Sequence, residues 1–243
     1  MRIYQVDTYD EMSLRAGRIM AAHVLQNPRC VLGLATGSTP IGLYKCLIER
    51  YDQGILDFSQ VRSVNLDEYA GLDGSHDQSY RYFMEQNLFR HINIKRENTN
   101  VPDGKAADLA AEGARNDALI RDLGGIDIQL LGMGRNGHIG FNEPCGEFIP
   151  GTHEVSLAQS TIDANARFFE TIDLVPRKAI TMGIASIMQA RQVLVVVSGE
   201  DKADAVRAAF QGPVTPQCPA SILQLHPDVI LVGDKAALSK LDR

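Results

Sequence analysis

Five short strand-like runs, at Val31–Leu34, 61–66, 126–131, 192–197 and 229–232, punctuate the chain, and between them apolar residues recur every third and fourth position. Runs of that length read as buried strands, and the spacing between them reads as amphipathic helix. The first helix, predicted over 10–25, gathers Met12, Ala16, Ile19, Met20 and Val24 on one face. Further helices are predicted over 40–51, 78–89, 106–123, 200–210 and 236–241. Strands that alternate with helices pair in parallel through right-handed crossovers, which predicts an α/β fold: a mostly parallel, Rossmann-like, doubly wound sheet with helices on both faces. The pattern runs without a break, so one domain over 1–243 is expected.

Charge narrows the partners. The 243 residues carry a formal net charge of −6, and Lys and Arg are scattered rather than striped. That opposes a nucleic-acid or anionic-membrane surface and leaves room for a local basic pocket that takes a small anionic metabolite. The start, Met1-Arg2-Ile3-Tyr4-Gln5-Val6, meets Asp7 and Asp10 before any apolar core of a signal peptide can form, and no apolar run reaches membrane-spanning length. Cys30, Cys46, Cys145 and Cys218 are far apart and form no CxxC pair, as expected of reduced thiols in a cytoplasmic enzyme.

Ligands of an open parallel sheet bind outside the carboxyl ends of its strands, and three strand ends here carry chemistry. After the first comes Ala35-Thr36-Gly37-Ser38-Thr39-Pro40. Backbone N–H groups, hydroxyls and the positive end of a following helix suit a phosphate, although the loop lacks the GK[ST] ending of a nucleotide P-loop and its hydroxyls would equally serve as a plain N-cap. After the second comes Asn65-Leu66-Asp67-Glu68-Tyr69. Adjacent side chains of an extended segment point in different directions, so at most one of the two acids faces the ligand, and both would equally serve to cap or solvate the loop. After the third, four glycines in nine residues, 132–140, bring His138 and Glu143 onto a tight turn as an acid/base and its partner. Arg167, flanked by Ala166 and Phe168, and Lys202, just past a strand, are candidates to hold a phosphate dianion. The acids and His138 match no zinc spacing, and no metal is expected.

Taken together, Leu32-Gly33-Leu34-Ala35-Thr36-Gly37-Ser38-Thr39-Pro40, Asn65-Leu66-Asp67-Glu68-Tyr69, Ser79-Tyr80 with Phe83-Met84, Gly134-Arg135-Asn136-Gly137-His138-Ile139-Gly140-Phe141-Asn142-Glu143-Pro144, Thr181-Met182-Gly183 and Leu223-Gln224-Leu225-His226-Pro227 resemble the glucosamine-6-phosphate deaminases over nearly the whole chain. The resemblance implies a cofactor-free aldose–ketose isomerisation coupled to deamination, from glucosamine 6-phosphate and water to fructose 6-phosphate and ammonia. It implies that Asp67 removes the C2 proton and that His138 opens the ring, with Glu143 and Asn136 positioning it. Some relatives carry an aspartate in place of Asn136; an amide orients by hydrogen bonding and leaves the charge to Glu143. Thr36, Gly37, Ser38 and Thr39, with Arg167 and Lys202, would anchor the phosphate. The rivals are a deaminase of an isomeric amino sugar phosphate, a 6-phosphogluconolactonase-like hydrolase, which needs no carbon-acid base, and a non-catalytic sugar-phosphate sensor. Effector-regulated hexameric relatives bind N-acetylglucosamine 6-phosphate through basic residues after the NEP motif and a long C-terminal extension. Segment 145–155 has no Lys or Arg and contains Glu147 and Glu154, and the chain ends at Arg243 soon after its last strand. A monomer or small homo-oligomer without that regulation is expected.

Overall fold

The computed structural model describes every residue except 160, 161, 164, 165, 167, 168 and 243. In chain order the described elements are β1 (Arg2–Val6), α1 (Tyr9–Gln26), β2 (Val31–Leu34), α2 (Ile41–Asp52), β3 (Arg62–Asn65), β4 (Asp67–Tyr69), α3 (Tyr80–Asn87), β5 (Thr99–Asn100), α4 (Leu109–Asp122), β6 (Ile128–Leu131), β7 (His153–Ser156), β8 (Lys178–Thr181), α5 (Ile184–Met188), β9 (Gln192–Val197), α6 (Ala203–Gln211) and β10 (Val229–Asp234), joined in places by short 3-10 turns. Local signals account for the helix starts. Thr8, Ser79 and Asp108 each accept a backbone N–H of the first turn of α1, α3 and α4 through their side chains.

Seven strands form one sheet in the order β1-β10-β9-β6-β2-β3-β5, every neighbouring pair parallel. The chain moves outward from β2 through β3 to β5, then returns to the other side of β2 to lay down β6, β9 and β10. Right-handed crossovers in opposite directions put α1 and α2 on one face and α4, α5 and α6 on the other. α1 and α2 pack closely: a Cβ on Gly17 would meet the Cβ and Sγ of Cys46 at 2.7 Å. The strands of the core are buried on both sides; Val193 to Val197 and Val229 to Val232 are at most 3% exposed. The order reverses between β2 and β6, and this reversal opens a crevice at their carboxyl ends.

A second sheet, β4-β8-β7, is antiparallel and lies at the carboxyl side of β3. It has its own apolar cluster of Tyr69, Phe141, Leu157, Ile162, Val175 and Ala179. Neither this sheet nor the edge strand β1 is expected from the hydrophobic pattern. β7 alternates half-buried and exposed positions, and β4 is three residues of DEY.

One predicted helix is absent. Residues 235–240 form successive turns instead. Asp234 accepts the Ala237 N–H on its carboxylate at 2.8 Å and the Leu238 N–H on its carbonyl at 3.0 Å, which fixes the bend. All four cysteines are unpaired, and among the described residues no helix is long and apolar enough to cross a membrane.

Candidate active site

The loop after β2 is held at its root by the buried Tyr44, whose hydroxyl donates to the Ala35 carbonyl. Gly37 takes φ 94°, which only glycine adopts without strain, and a Cβ there would touch nothing within 4 Å, so the backbone faces open space. α2 begins directly behind the loop and its cap residue, Pro40, offers no side-chain hydrogen bond. The positive helix end is therefore directed at Thr36–Thr39 without an internal anion.

The two adjacent acids separate as extended geometry requires. Asp67 turns into the crevice and is 5% exposed; burial, and then the like charge of Glu68, push its carboxyl up to about 8. Glu68 turns away. One of its oxygens accepts the N–H of Tyr69 at 2.9 Å and of Tyr80 at 2.8 Å, and the other accepts the Arg81 N–H at 2.9 Å. Burial raises its carboxyl to about 6 against the lowering effect of these three donors. β4 is set in place by the Leu66 N–H on the Leu34 carbonyl and the Met182 N–H on the Leu66 carbonyl, so it bridges the two sheets.

The turn after β6 depends on its glycines. A Cβ at Gly134 would stand 2.3 Å from the His138 ring, so the imidazole packs directly on that glycine's backbone. Gly140, at φ 58°, has Thr181 Oγ1 and Asp67 Oδ2 at 3.0 and 3.4 Å from the place a Cβ would occupy, so the turn approaches Asp67 closely. Phe141 N–H donates to Thr181 Oγ1 at 3.0 Å, and Asn142 Nδ2 ties the carbonyls of Ile139 and Met182, each at 2.9 Å. His138 Nδ1 is buried and lies 3.3 Å from Glu143 Oε2, in ion-pair contact but out of line for a hydrogen bond. Asn136 Nδ2 donates to that same oxygen at 2.7 Å, while Asn136 Oδ1 accepts the His138 N–H at 3.2 Å. With Nδ1 turned to the carboxylate, Nε2 is the ring nitrogen left to meet a ligand.

These parts line one cleft of about 640 Å³, within the ordinary range of small-molecule sites. Thr36, Gly37, Ser38, Thr39, Asp67, Asn136, His138 and Lys202 all contribute to its wall. Glu143 sits behind His138, and Arg167 lies outside the described residues. The wall also includes residues with no role assigned from the sequence alone: Tyr80, Phe141, Ser198, and the ion pair of Arg135 with Asp201 at 2.6 Å. The Tyr80 ring stacks on Phe141, centroids 5.8 Å apart and planes 14° from parallel, and tilts against Tyr69 at 4.8 Å. Ser79-Tyr80 is legible as a helix start but carries no sign of the Glu68 carboxylate that seats it. The loop bearing Lys202 is fastened by Asp234, which accepts Ser198 Oγ at 2.5 Å and the Gly199 N–H at 3.1 Å. Among the described residues, no three His, Cys, Asp or Glu side chains are grouped as a metal ion requires.

The comparisons with known proteins agree with this arrangement. Residues 7–231 match the family of glucosamine-6-phosphate isomerases and 6-phosphogluconolactonases. A glucosamine-6-phosphate deaminase of Lachnoclostridium phytofermentans is 60% identical over 232 residues, 96% of this chain and 98% of that protein. A solved monomeric glucosamine-6-phosphate deaminase superimposes with a TM-score of 0.97 at 46% identity, covering 99% of this chain and 100% of the other. The 6-phosphogluconolactonase of Trypanosoma cruzi shares the fold, with a TM-score of 0.80 over 100% of this chain and 97% of that one, at only 19% identity. By the family match and these relatives, the chain belongs to the glucosamine-6-phosphate isomerase and 6-phosphogluconolactonase family.

Proposed function

We propose that the cleft carries out the isomerising deamination of glucosamine 6-phosphate, as one catalytic domain spanning 1–243, acting in the cytoplasm as a monomer or small homo-oligomer. The observation that carries this reading is the pairing, in a single cleft, of a buried carboxylate in Asp67 with the His138–Glu143 acid/base pair, beside a helix start that has no acid in its first turn and suits a phosphate. Two proton-moving groups on one substrate match a reaction with two proton-transfer stages.

In this reading His138 takes the proton of the anomeric hydroxyl and returns one to the ring oxygen, so the pyranose opens to the aldehyde. Glu143 stabilises the imidazolium that forms in between, and Asn136 fixes the carboxylate. Asp67 then removes the proton from C2, giving an enolamine across C1 and C2. Protonation at C1 yields the C2 iminium; water adds there and ammonia leaves, giving fructose 6-phosphate. The raised affinity of Asp67 for a proton suits this step, because a base that holds protons weakly draws poorly on a carbon acid. Thr36 to Thr39, Arg167 and Lys202 bind the phosphate, and that distant binding energy holds C1 and C2 against Asp67. The 60% identity to a deaminase, against 19% to a lactonase, favours carbon-acid chemistry over ester hydrolysis.

The test is direct. With glucosamine 6-phosphate the protein should release ammonia and fructose 6-phosphate in equal amounts; galactosamine 6-phosphate and 6-phosphogluconolactone serve as comparison substrates. Hydrolysis of the lactone without ammonia release from either amino sugar would overturn the assignment.

A further inference from the structure

Glu68 is 2% exposed and stands one residue from Asp67. A buried carboxylate is costly unless donors compensate it, and here three backbone N–H groups do so at 2.8 to 2.9 Å. Ser79 accepts only the Tyr82 N–H at 3.0 Å, and Glu68 takes the two first-turn N–H groups before it. What Glu68 adds is a tie across elements. It joins β4 to the first two residues of α3, and the first of these, Tyr80, carries the ring that lines the cleft with Asp67. That ring is held on its other sides by Phe141 from the catalytic turn and by Tyr69 from β4.

We propose that Glu68 is a positioning residue for the reaction: its buried carboxylate seats the start of α3 and so fixes the Tyr80 ring against the wall of the cleft that carries Asp67. This rests on Asp67 being the base. The arrangement has an electrostatic consequence. Glu68 faces Tyr69 and Asp67 on its own strand, Tyr80 and Arg81 on α3 and Asp103 from the segment after β5. Arg81 is itself engaged by Thr99 and Glu85. Asp67 in turn is surrounded by Glu68, by the tyrosines Tyr44, Tyr69 and Tyr80, and by His138 and Lys202 across the cleft. Among these, Glu68 is the adjacent like charge, and it raises the proton affinity of Asp67.

The experiment compares E68Q and E68D with wild type, reading kcat, KM and the pH dependence of kcat/KM for ammonia release. E68Q keeps an acceptor for Tyr69 and Tyr80 but loses the charge and turns its NH2 toward the Arg81 N–H. Its kcat should fall about tenfold with KM within about threefold, and the acid limb of kcat/KM should move down by about one pH unit. E68D keeps the charge on a shorter arm, so its limb should stay in place while kcat falls. A merely structural role would lower the melting temperature and leave the limb where it is. An unmoved limb in E68Q, or wild-type kcat in E68Q, overturns the proposal. If E68Q does not fold, E68D decides: reduced kcat with KM and limb held supports it, and any other result overturns it. D67N run alongside separates the two failures. Wild-type turnover in D67N sinks the assignment of the base, whereas an inactive D67N beside an unmoved limb in E68Q sinks only the role of Glu68.

Discussion

Asn136 donates through Nδ2 to Glu143 Oε2 at 2.7 Å, the same oxygen that faces His138 Nδ1. An amide is thus the fixed arm of a three-residue unit whose charge lies on Glu143. Its other end, Oδ1, accepts the His138 N–H, so one side chain locks both the backbone and the partner of the imidazole.

This unit predicts unequal losses. Glu143→Gln removes the charge that stabilises the imidazolium and should lower kcat about 10²- to 10³-fold, with KM within about threefold. Asn136→Ala leaves the carboxylate in place with one fewer hydrogen bond and should cost about tenfold. Steady-state ammonia release measures both. Equal losses would mean that Asn136 does more than orient.

Asp67 should trade stability for rate. Its folded carboxyl is raised from 3.8 to about 8, so between those values the folded state holds a proton that the unfolded state releases. Stability from this group is therefore full below pH 4 and declines as pH rises toward 8. Asp67→Asn should abolish ammonia release yet melt higher than wild type at pH 8, by a margin that shrinks as the pH falls toward 4. In wild type, kcat/KM should rise with pH up to about 8, since the base must be unprotonated in the free enzyme. Thermal melts and a pH–rate profile check each half.

Lys202 lines the cleft on a loop that Asp234 fastens to β10. Lys202→Ala should raise KM for the phosphosugar roughly tenfold or more and leave kcat within about threefold, because a charge-assisted contact to phosphate is worth about 1.5 to 3 kcal/mol. An unchanged KM would place the phosphate elsewhere in the cleft.

Activation by N-acetylglucosamine 6-phosphate is not expected. In segment 145–155, Thr152 is fixed by Asp117 through both its N–H and its hydroxyl, at 2.9 and 2.5 Å, and Glu154 holds Lys178 at 2.6 Å. A second anion would meet acids there, and without different affinities for two states it cannot shift an equilibrium between them. Rate curves should be hyperbolic with and without that compound. A sigmoidal curve made hyperbolic by its addition would overturn the prediction.

The sequence by itself determines the parallel core and brings forward the candidate reacting groups. The runs that form β2, β6, β9 and β10 are mostly apolar because both sheet faces are covered, and such runs are visible without any partner. The glycines of 132–140 and the hydroxyls of 36–39 are equally visible, since local backbone needs select them. Only the tertiary structure decides the rest. β4 and β7 are short and half polar, and they exist because β8 pairs with both of them, contacts made across as many as 114 positions of chain. The different fates of Asp67 and Glu68 follow from which way β4 faces once Leu66, just before it, is pinned between Leu34 and Met182. The meeting of Glu68 with Tyr80, and of Arg135 with Asp201, depends on long-range folding, which periodicity over a few residues does not record.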